Sequence, residues 1–474
     1  MKLAATDILN LPHDRAVGFE KGKRIELTGV STDTRSVNKG DLFIALRGCK
    51  FDGHDFLTKT VGSGARAVVV EKKWAEFNSI LLSSLYIPAL IVESTLHTLG
   101  DLGRMIRRRF DIPILVVAGS NGKTTTKDMI ANVLGMKYRV LSTQGNLNNQ
   151  IGVPQTLFRL EEDHQIAVIE IGTNHFGELA YLCTIVEPTH ALITTIGREH
   201  LEFFGSIEGV AQAEGEVFEW CKSNGTTSGS VFVNADDPFL AEQVKSMRKK
   251  VTYGLTAEHP DVMGRILTVN NRGCVTLRVK PTGKRPIEIE LSVPGQHNAL
   301  NALAAVTVGL TFKVPRIKIQ EALQSFTASS KRMQIVTMRE ITVINDTYNS
   351  NPDSVLAAFS TLNSISSSGR KIAVLADMLE LGARAVEEHS KIGSAVEGAG
   401  IECLLTFGPL SKSTHDAATI EHKIHFNSKA MLSEHLAGLV APGDVVLVKG
   451  SNSMKMEEVV LFLAEHAKAQ AQTV

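Results

Sequence analysis

Runs of apolar residues alternate with polar, helix-like stretches along most of the chain, and this alternation predicts its fold. Between residues 113 and 235 the apolar runs read ILVVAG, YRVLST, IAVIEIG, ALITTIG and VFVNA, with helical or loop sequence between them. Continuous apolar runs of this length are typical of parallel strands that are buried on both faces. We therefore predict a central parallel sheet that is covered by helices on both sides.

A different pattern begins at Ile266, where β-rich runs joined by Gly-containing turns continue to Val293. Such runs are typical of antiparallel hairpins, so we predict a β excursion after the parallel strands. A helix is predicted from about His297 to Leu310. The connection near residues 325–330 is the predicted boundary of a further domain.

The alternation of strands and helices restarts after this connection. The apolar runs ITVINDT, KIAVLAD, ECLLTFG and DVVLVKG are separated by helical sequence, and the helix PDSVLAAFSTL has Pro352 near its first turn, where proline is well tolerated. The pattern predicts a small doubly wound domain. It contains no G-x-G-x-x-G after a strand, so no dinucleotide is assigned to it.

The whole chain is thus predicted to be an α/β protein of three domains. Residues 1–110, with short runs such as DLFIAL and ARAVVV, indicate a mixed α/β domain. Residues 111–327 form the predicted central domain with its parallel sheet and antiparallel excursion, and residues 328–474 a Rossmann-like domain. A length of 474 residues agrees with about three domains of ordinary size.

Charge and cysteine content narrow the functional classes. The 50 basic residues balance the 50 acidic ones, so no overall field favours nucleic acid or a membrane surface. The five cysteines form no C-x-x-C pair, which argues against a zinc site and against a disulfide framework. The first residues lack the apolar core of a signal peptide, and no run of about 20 apolar residues occurs. We therefore expect a cytoplasmic protein without a membrane span.

The most informative motif is ILVVAGSNGKTTT, from Ile114 to Thr126. An apolar strand leads into a glycine turn, a lysine and threonines that open a helix, and backbone N–H groups in such a loop bind phosphate. The strict Walker pattern requires glycine where Val117 stands, so an accidental Gly-rich turn is the alternative. We predict a nucleoside triphosphate site, with Thr124 as a Mg²⁺ ligand. Its residues are Gly119, Ser120, Asn121, Gly122, Lys123, Thr124 and Thr125.

Two further polar residues come at the ends of predicted strands of the same sheet. Glu170 ends the run IAVIE, and His200 follows ALITTIGRE. Ligands of open α/β sheets bind at the carboxyl edge of the strands, and Mg²⁺ prefers oxygen ligands. We predict that Glu170 binds Mg²⁺, with a buried structural hydrogen bond as the alternative. For His200 the residues alone leave a role at the site and an ordinary satisfied histidine equally open.

Polar residues in the later segments are less specific. Asn298 and Asn301 are three residues apart on one predicted helix face, where they could hold a base or ribose, although a helix cap is favoured. Asp346 ends a predicted strand before a polar turn. Nucleotide contact across a cleft and a plain Asx turn are both compatible with that position.

A series of motifs in this chain resembles the Mur ligase family. In order they are AGSNGKTTT, GNLNNQIGVP, EIGTNHFGE, TTIGREHLEFFGS, NADDP, GQHNALNALAA, KRMQ, NDTYNSNPDS and VLADMLELG. The segment STDTRSVNKGDLFIALRGCKFDGHDF is similar to the UDP-sugar loop of the family. The resemblance covers nearly the whole chain, and nine motifs in order are far more specific than a phosphate loop alone.

The resemblance implies an ATP-dependent ligase. Within the family, the motifs favour the member that adds D-alanyl-D-alanine to a UDP-N-acetylmuramoyl-tripeptide through an acyl phosphate, the last cytoplasmic step of peptidoglycan precursor synthesis. The chemistry would rest on positioning and electrostatic stabilisation. We expect ATP and Mg²⁺ as cofactors and a monomer without nucleic-acid or membrane partners.

The resemblance also implies roles for individual residues. Lys123 would hold the β/γ-phosphates, Thr124 and Glu170 one Mg²⁺, and His200 a second Mg²⁺ nearer the acyl phosphate. Asn298 would lie beside the adenine, and Arg332 and Asp346 would close on the nucleotide. The expected substrate-binding residues are Ser31, Asp33, Arg35, Arg47 and His54 for the UDP-sugar, with Asn349 and Asn351 in the C-terminal domain.

Two positions depart from the family pattern. Glu214 stands where the family usually has a lysine carbamylated by CO₂, and Asn452 stands where relatives often have arginine. We expect Glu214 to supply a permanent carboxylate in support of the second Mg²⁺, with a solvated helix residue as the alternative. How the dipeptide carboxylate is anchored beside Asn452 is left open.

Three alternatives remain at this level. The chain could be another Mur-type ligase, a folylpolyglutamate-type ligase, or a P-loop nucleotide switch without ligase chemistry. The UDP-sugar-like N-terminal segment argues against folate. A switch, moreover, needs neither that segment nor a separate domain that brings in an amine.

Overall fold

The computed structural model describes residues 3–19, 25–224 and 229–472. These residues form two compact units. The first comprises the described residues within Met1–Val116, Arg139–Gly172 and Glu178–Thr189, and the second comprises those within Val117–Tyr138, Thr173–Gly177 and His190–Val474. The predicted domain boundaries at 110/111 and 327/328 stay predictions.

The strands and helices alternate along most of the chain. The strands are β1 Leu3–Ala4, β2 Arg15–Val17, β3 Glu26–Leu27, β4 Gly29–Ser31, β5 Asp41–Ile44, β6 Ala67–Glu71, β7 Ala89–Val92, β8 Ile114–Ala118, β9 Val140–Ser142, β10 Ile166–Glu170, β11 His190–Ile193, β12 Val231–Asn234, β13 Lys250–Gly254, β14 Val262–Val269, β15 Cys274–Pro281, β16 Ile287–Pro294, β17 Gln334–Met338, β18 Ile341–Asp346, β19 Lys371–Ala376, β20 Cys403–Phe407, β21 His422–Phe426 and β22 Val445–Lys449.

The helices lie between these strands. They are α1 Ala5–Leu9, α2 Leu57–Gly62, α3 Lys72–Phe77, α4 Ser79–Ser84, α5 Thr95–Arg107, α6 Lys123–Gly135, α7 Gly152–Leu157, α8 Glu178–Val186, α9 Leu201–Phe204, α10 Ile207–Ser223, α11 Pro238–Gln243, α12 His297–Thr311, α13 Arg316–Gln324, α14 Pro352–Ser364, α15 Ala385–Ala395, α16 Ser411–Ala417, α17 Lys429–Leu439 and α18 Glu457–Gln472. None of the helices in the described part of the chain has the length and apolarity that a membrane crossing requires.

The first unit contains a five-stranded sheet in the order β2-β7-β6-β5-β4. Strand β2 runs antiparallel to β7, and the other neighbours are parallel. Alternate residues of one strand enter different cores: Val69 packs with one buried cluster, whereas Val68 and Val70 pack with the other. Both faces of this sheet are therefore buried, which explains why its strands read as unbroken apolar runs.

The second unit contains the parallel strands β11, β12, β13 and β14, followed by β15 and β16, which pair antiparallel. The predicted antiparallel excursion is confirmed, although it begins at Val262 rather than Ile266. The predicted helix is also confirmed, and it spans His297–Thr311. Helix α12 is buried around most of its circumference, which matches its nearly continuous apolar sequence.

The C-terminal segment forms a six-stranded sheet in the order β17-β18-β22-β19-β20-β21. Its strands are parallel except β17, an edge strand that runs antiparallel to β18. The four predicted strands are present, whereas β17 and β21 were not predicted. Both are edge strands with half-buried, mixed sequence, so they lack the continuous apolar run that identifies a central strand.

Helix α14 begins as its sequence predicts. Pro352 is its first residue, and Asn351 is the N-cap, whose side chain accepts a hydrogen bond from the Ser354 N–H at 2.8 Å. The Ser354 hydroxyl in turn accepts a hydrogen bond from the Asn351 N–H. This capping box satisfies two backbone donors at the end of the turn that follows β18.

Asp236 holds the loop after β13 and provides a test of this part of the fold. Its carboxylate accepts hydrogen bonds from the N–H groups of Leu255, Thr256 and Ala257 at 2.7–2.9 Å. We expect Asp236→Ala to lower the free energy of unfolding by about 2 kcal/mol, because charged hydrogen bonds to backbone amides are lost. Thermal unfolding measures this effect, with exposed Glu242→Ala as the control. Equal melting temperatures for the two variants would contradict the assignment.

Candidate active site

The loop between β8 and α6 has the shape of a phosphate-binding loop. Gly119 and Gly122 have φ of +114° and +81°, which favour glycine. A Cβ atom on Gly119 would lie 2.3 Å from Thr194 Oγ1, so no other residue fits there. The Ser120 N–H donates to the Thr195 carbonyl at 2.8 Å, which ties the loop to the segment after β11.

Helix α6 starts at Lys123 without a side-chain cap, because Gly122 is its N-cap. The N-terminal turn of such a helix attracts anions, through its amides and its dipole. The Lys123 ammonium group contacts the Gly119 carbonyl, lies 3.3 Å from the Ser120 carbonyl and 3.6 Å from Glu199 Oε2. The lysine charge is thus held directly over the loop.

Two buried oxygen atoms beside this loop have no hydrogen-bond partner among the described residues. Thr124 is only 5% exposed, and its Oγ1 atom has no hydrogen-bond partner among the described residues. Glu214, on α10, is 1% exposed. Its Oε2 atom accepts a hydrogen bond from the Gly119 N–H at 2.7 Å, while Oε1 has no partner in the described part of the chain. The alternative that Glu214 is a solvated helix residue is therefore wrong.

Burial also decides the electrostatics of Glu214. Desolvation raises the pKa of its carboxyl group to about 7, and the charge of Glu199 adds to this effect. The positive charge of Lys123 and the hydrogen bond from Gly119 oppose it. A buried carboxyl group with one bonded oxygen and one unpaired oxygen has the capacity to accept a further donor or cation.

Glu170 lies in the first unit, at the end of β10, and is 1% exposed. Its Oε1 atom accepts a hydrogen bond from Asn148 Nδ2 at 2.9 Å, so a buried structural hydrogen bond is present. Its Oε2 atom has no partner among the described residues. Glu170 thus combines the structural hydrogen bond that the sequence left as an alternative with an oxygen atom that remains available.

His200 follows β11 in a left-handed conformation, with φ of +49°. Its Nδ1 atom lies 2.5 Å from Glu380 Oε2, although the ring N–H is not aligned on that oxygen within ordinary hydrogen-bond limits. Burial lowers the pKa of His200, but the contact with Glu380 and the charges of Glu199 and Glu380 outweigh it, so the pKa is raised. The imidazole is therefore held between two carboxylates.

The C-terminal sheet places Asp346 and Lys449 opposite each other at the ends of β18 and β22. Lys449 is 2% exposed, and its ammonium group lies 2.5 Å from Asp346 Oδ2 and 2.9 Å from the Asn349 carbonyl. Asp346 also accepts a hydrogen bond from the Met333 N–H. The Tyr348 N–H donates to the Lys331 carbonyl, so Asp346 forms a buried ion pair instead of the Asx turn that was the alternative.

The same turn is held from two other sides. The Arg332 guanidinium lies over the Tyr348 ring, 3.7 Å from its centroid, a favourable cation–π distance. Asn452 Nδ2 donates to the Tyr348 carbonyl at 2.9 Å. Asn351 Nδ2 donates to Asn121 Oδ1 at 3.0 Å, which connects the helix cap of α14 to the phosphate loop.

Asn298 and Asn301 are both buried and connect α12 with α6. Asn298 Nδ2 donates to the Pro294 carbonyl, Asn301 Nδ2 donates to Asn298 Oδ1, and Thr126 Oγ1 donates to Asn301 Oδ1. Helix α12 has Gln296 at its N-cap and no side-chain hydrogen bond that caps it, so the favoured helix cap is wrong, and the two asparagines instead join buried segments. The role of Asn298 beside a base stays a prediction.

The five residues predicted to hold a UDP-sugar all lie in the first unit. Asp33 and Arg35 form an ion pair of 2.6 Å, which lowers the pKa of Asp33 to about 2. The Ser31 hydroxyl donates to the Asp33 carbonyl at 2.9 Å, and Arg47 donates to Asp52 at 3.0 Å.

His54 is buried, and both of its ring nitrogens are engaged inside the first unit. Nδ1 lies 2.5 Å from Asp52 Oδ1, and Nε2 accepts the Glu71 N–H at 3.0 Å. His54 therefore stabilises its own loop. Its contact with a substrate stays a prediction, as does that of the other four residues.

The sequence analysis assigned no role to four charged residues of the second unit that contact its candidate site residues or helix α14. They are Arg198, Glu199, Glu380 and Lys449. Arg198, Glu199 and Glu380 lie in motifs that were recognised, and Lys449 ends a predicted apolar strand. A charged residue at the carboxyl end of a buried parallel strand is a usable signal, because ligands bind at that edge. The partners of such a residue cannot be read from the sequence.

Comparison with protein families agrees with this organisation along the chain. The Mur ligase family catalytic domain matches residues 26–102, the Mur ligase middle domain matches residues 117–309, and the Mur ligase glutamate ligase domain matches residues 331–452. The matches are successive parts of a three-domain α/β fold.

Curated relatives match over nearly the full length. The chain is 35% identical to the UDP-N-acetylmuramoyl-tripeptide–D-alanyl-D-alanine ligase of Escherichia coli K12, with 97% of each protein covered. It is 33% identical to the enzyme of the same name from Bacillus subtilis 168, with 92% of this chain and 93% of that protein covered.

Solved structures also match over nearly the full length of the chain. MurF from Acinetobacter baumannii superimposes with a TM-score of 0.84 at 30% identity, covering 93% of this chain and 94% of that one. MurF ligase from Thermotoga maritima in complex with ADP has a TM-score of 0.80 at 26% identity, covering 93% and 98%. From its motifs, its fold and these full-length matches, the chain belongs to the Mur ligase family and is an ATP-dependent ligase.

Proposed function

We propose that this enzyme joins D-alanyl-D-alanine to a UDP-N-acetylmuramoyl-tripeptide and forms ADP and phosphate. The relatives named for this reaction match at 33–35% identity over almost the entire chain. The single structural observation that carries the proposal is the phosphate loop, with its two required glycines, its lysine and its unpartnered Thr124 hydroxyl. This activity places the enzyme at the completion of the peptidoglycan precursor.

The proposed reaction has two chemical steps. The terminal carboxylate of the tripeptide attacks the γ-phosphorus of ATP, so that an acyl phosphate forms and ADP leaves. The amine of D-alanyl-D-alanine then attacks the acyl carbon, and phosphate leaves from the tetrahedral intermediate. Negative charge develops on phosphoryl and acyl oxygens, so preorganised cations and amides are what the protein must supply.

The residues around the phosphate loop are suited to this charge. Lys123 would neutralise the β/γ-phosphates, with the backbone of Gly119 to Thr125 around them. Arg332 would contribute a second cation from the C-terminal segment, and Asp346 would orient the nucleotide. We propose Asn298 for the adenine, Ser31, Asp33, Arg35, Arg47 and His54 for the UDP-sugar, and Asn349 and Asn351 for the incoming amine.

We also propose that the enzyme uses Mg²⁺. The family resemblance implies Thr124 and Glu170 as ligands of one Mg²⁺ and His200 as the ligand of a second ion. Thr124 and Glu170 each have a buried oxygen atom without a hydrogen-bond partner among the described residues, and oxygen atoms are the ligands that Mg²⁺ prefers. When bound, Mg²⁺ would neutralise charge on the phosphoryl oxygens. Glu214 would add a buried carboxylate beside the lysine. We further propose a cytoplasmic location, where the substrate nucleotides occur, and a monomeric enzyme.

The activity is tested by a coupled ADP assay on the purified protein. We expect ADP release only when ATP, a UDP-N-acetylmuramoyl-tripeptide and D-alanyl-D-alanine are all present, because the acyl phosphate must be consumed by the amine. The same assay with single amino acids in place of the dipeptide detects the activity of another Mur-type ligase. The assay with folates as the acid substrate detects a folylpolyglutamate-type ligase. ADP release without any amine acceptor would contradict the proposal and favour a nucleotide switch.

Lys123 provides the test of the nucleotide site. We expect Lys123→Ala to lower kcat by about 10²–10³-fold, as for removal of one preorganised electrostatic donor. Lys222→Ala is the control, because Lys222 is a surface lysine that pairs with Glu219 on α10. Circular dichroism and thermal unfolding establish that both variants are folded. A Lys123→Ala enzyme with the kcat of the control would remove this residue from the mechanism.

Glu214 tests the departure from the family pattern. We expect the activity of the wild type to be independent of added bicarbonate, because the Glu214 side chain carries its own carboxyl group. Glu214→Gln should lower kcat or weaken the Mg²⁺ dependence at least ~10-fold, about 1.4 kcal/mol. Unchanged kinetics across a magnesium titration would refute the role.

Thermal unfolding shows whether a kinetic effect of Glu214→Gln comes from the reaction or from a loss of stability. The folded-state pKa of Glu214 is raised to about 7 from 4.5, so the native state binds more protons than the unfolded state between these values. The stability contributed by this group therefore falls as the pH rises from 4.5 to 7. Glu214→Gln avoids the buried charge, and its melting temperature at pH 8 should equal or exceed that of the wild type. A large drop there would show that the charge of Glu214 is needed for folding, so that the loss of kcat is no evidence for a role in the reaction.

A further inference from the structure

Two residues with left-handed backbone conformations face each other within the second unit. His200 has φ of +49°, and Glu380, in the loop between β19 and α15, has φ of +62°. Neither is glycine, so each conformation carries backbone strain. Such strain persists only where the surrounding structure holds the residue in place, and it is concentrated at functional sites.

Three local contacts hold these two residues together. The Glu202 N–H donates to the Glu380 carbonyl at 3.0 Å. Gly382 packs so closely on Glu202 that an added Cβ would lie 3.0 Å from its Cα. Leu381, 2% exposed, is in one buried cluster with Leu201. The loop around Glu380 is therefore docked on the start of α9 through backbone and core contacts, independently of the Glu380 carboxylate.

The carboxylate itself is directed at His200. Glu380 Oε2 lies 2.5 Å from His200 Nδ1, whereas His200 Nε2 is 3.9 Å from Glu199 Oε2. A carboxylate oxygen repels the lone pair of a nearby nitrogen and attracts an N–H, so at 2.5 Å, even without ideal alignment, it favours the proton on Nδ1 in the neutral ring. The lone pair of Nε2 is then available on the other side of the ring.

A second anchor joins the same segment to the C-terminal part of the chain. The Arg198 guanidinium group donates to Asp353 at 2.6 Å and to Glu388 at 2.9 Å. The backbone N–H of Arg198 donates to Asp353 at 2.7 Å. Asp353 is in the first turn of α14 and Glu388 is on α15. The segment that carries His200 is therefore held at two points by residues more than 150 positions further along the chain.

We propose that Glu380 is a positioning residue for His200: it fixes the ring orientation and the Nδ1–H tautomer, so that Nε2 is ready for its partner only when the Glu380 loop is docked. The proposal rests on the proposed function in that His200 acts in the reaction. Carboxylates that orient a functional histidine in this way are a general device of protein sites. Here the device also makes the site depend on the C-terminal segment.

Steady-state kinetics of three variants tests the proposal. We expect Glu380→Ala to lower kcat about 10-fold or more, the scale for loss of a partner that orients a ligand, with KM for the UDP-tripeptide changed by less than about 2-fold. Glu380→Gln retains a carbonyl acceptor and should recover most of the rate. Glu387→Ala is the control, because Glu387 is an exposed residue of α15 that pairs only with Lys391 among the described residues.

A double-mutant cycle distinguishes positioning from general stabilisation. If Glu380 acts through His200, Glu380→Ala should have almost no further effect on kcat in a His200→Gln background. The same fold-loss in both backgrounds would overturn the proposal. So would an equal loss in Glu380→Ala and Glu380→Gln that is accompanied by an equal drop in melting temperature.

Nitrogen NMR of the histidine-labelled protein without Mg²⁺ or substrates gives a readout that needs no activity. It is recorded above the pH at which the titration of the His200 nitrogen signals is complete, so that neutral rings are compared, because the pKa of His200 is raised. His200, identified by its absence in His200→Gln, should be the Nδ1–H tautomer in the wild type and in Glu380→Gln, and should shift toward Nε2–H in Glu380→Ala. An unchanged tautomer in Glu380→Ala would overturn the proposal.

The kinetic and NMR measurements distinguish a failure of the positioning role from a failure of the proposed ligase activity. A wild type without ligase activity would defeat the proposed function, while the tautomer measurement would still decide whether Glu380 positions His200. Conversely, full ligase activity in Glu380→Ala would defeat the positioning role and leave the proposed function intact.

Discussion

The hydrogen bond from the Gly119 amide to the buried carboxylate of Glu214 is the contact on which the rest of the site depends. Glu214 lies on α10, 95 residues further along the chain than Gly119, and its carboxylate holds the first glycine of the phosphate loop. This position accepts only glycine, since a side chain there would collide with Thr194. Lys123 is held over the loop by the same carbonyl groups that this turn exposes.

That contact also sets the electrostatic balance of the site. Lys123, Glu199, Glu214 and His200 interact with one another in a largely buried environment. One carboxylate without the lysine would be costly to bury, and the lysine without carboxylates would be equally costly. The fold itself therefore arranges these charges, and preorganised charges are those that stabilise a transition state most effectively.

Much of the fold could be predicted from the sequence. Most of the parallel strands, the antiparallel excursion (expected from Ile266 and observed from Val262) and helix α12 follow from the period and length of apolar runs, whereas the parallel strand β13 was not predicted. The edge strands β17 and β21 could not, because an edge strand is half exposed and its sequence is mixed. For the site, the phosphate loop and the buried ends of strands identified Lys123, Thr124, Glu170 and His200 as candidates, because a charged or polar residue beside an apolar run is conspicuous.

The sequence by itself determined which residue types are available and where each strand ends, since these depend on local pattern and on backbone stereochemistry. Only the tertiary structure decided their partners. Asp346 is paired with Lys449 because β18 and β22 are neighbours in the sheet, and Glu380 meets His200 because its loop docks on α9. Burial likewise turned Glu214 from a helix glutamate into the support of the phosphate loop. These pairings depend on contacts between distant segments, and no local pattern encodes which distant segments will pack together.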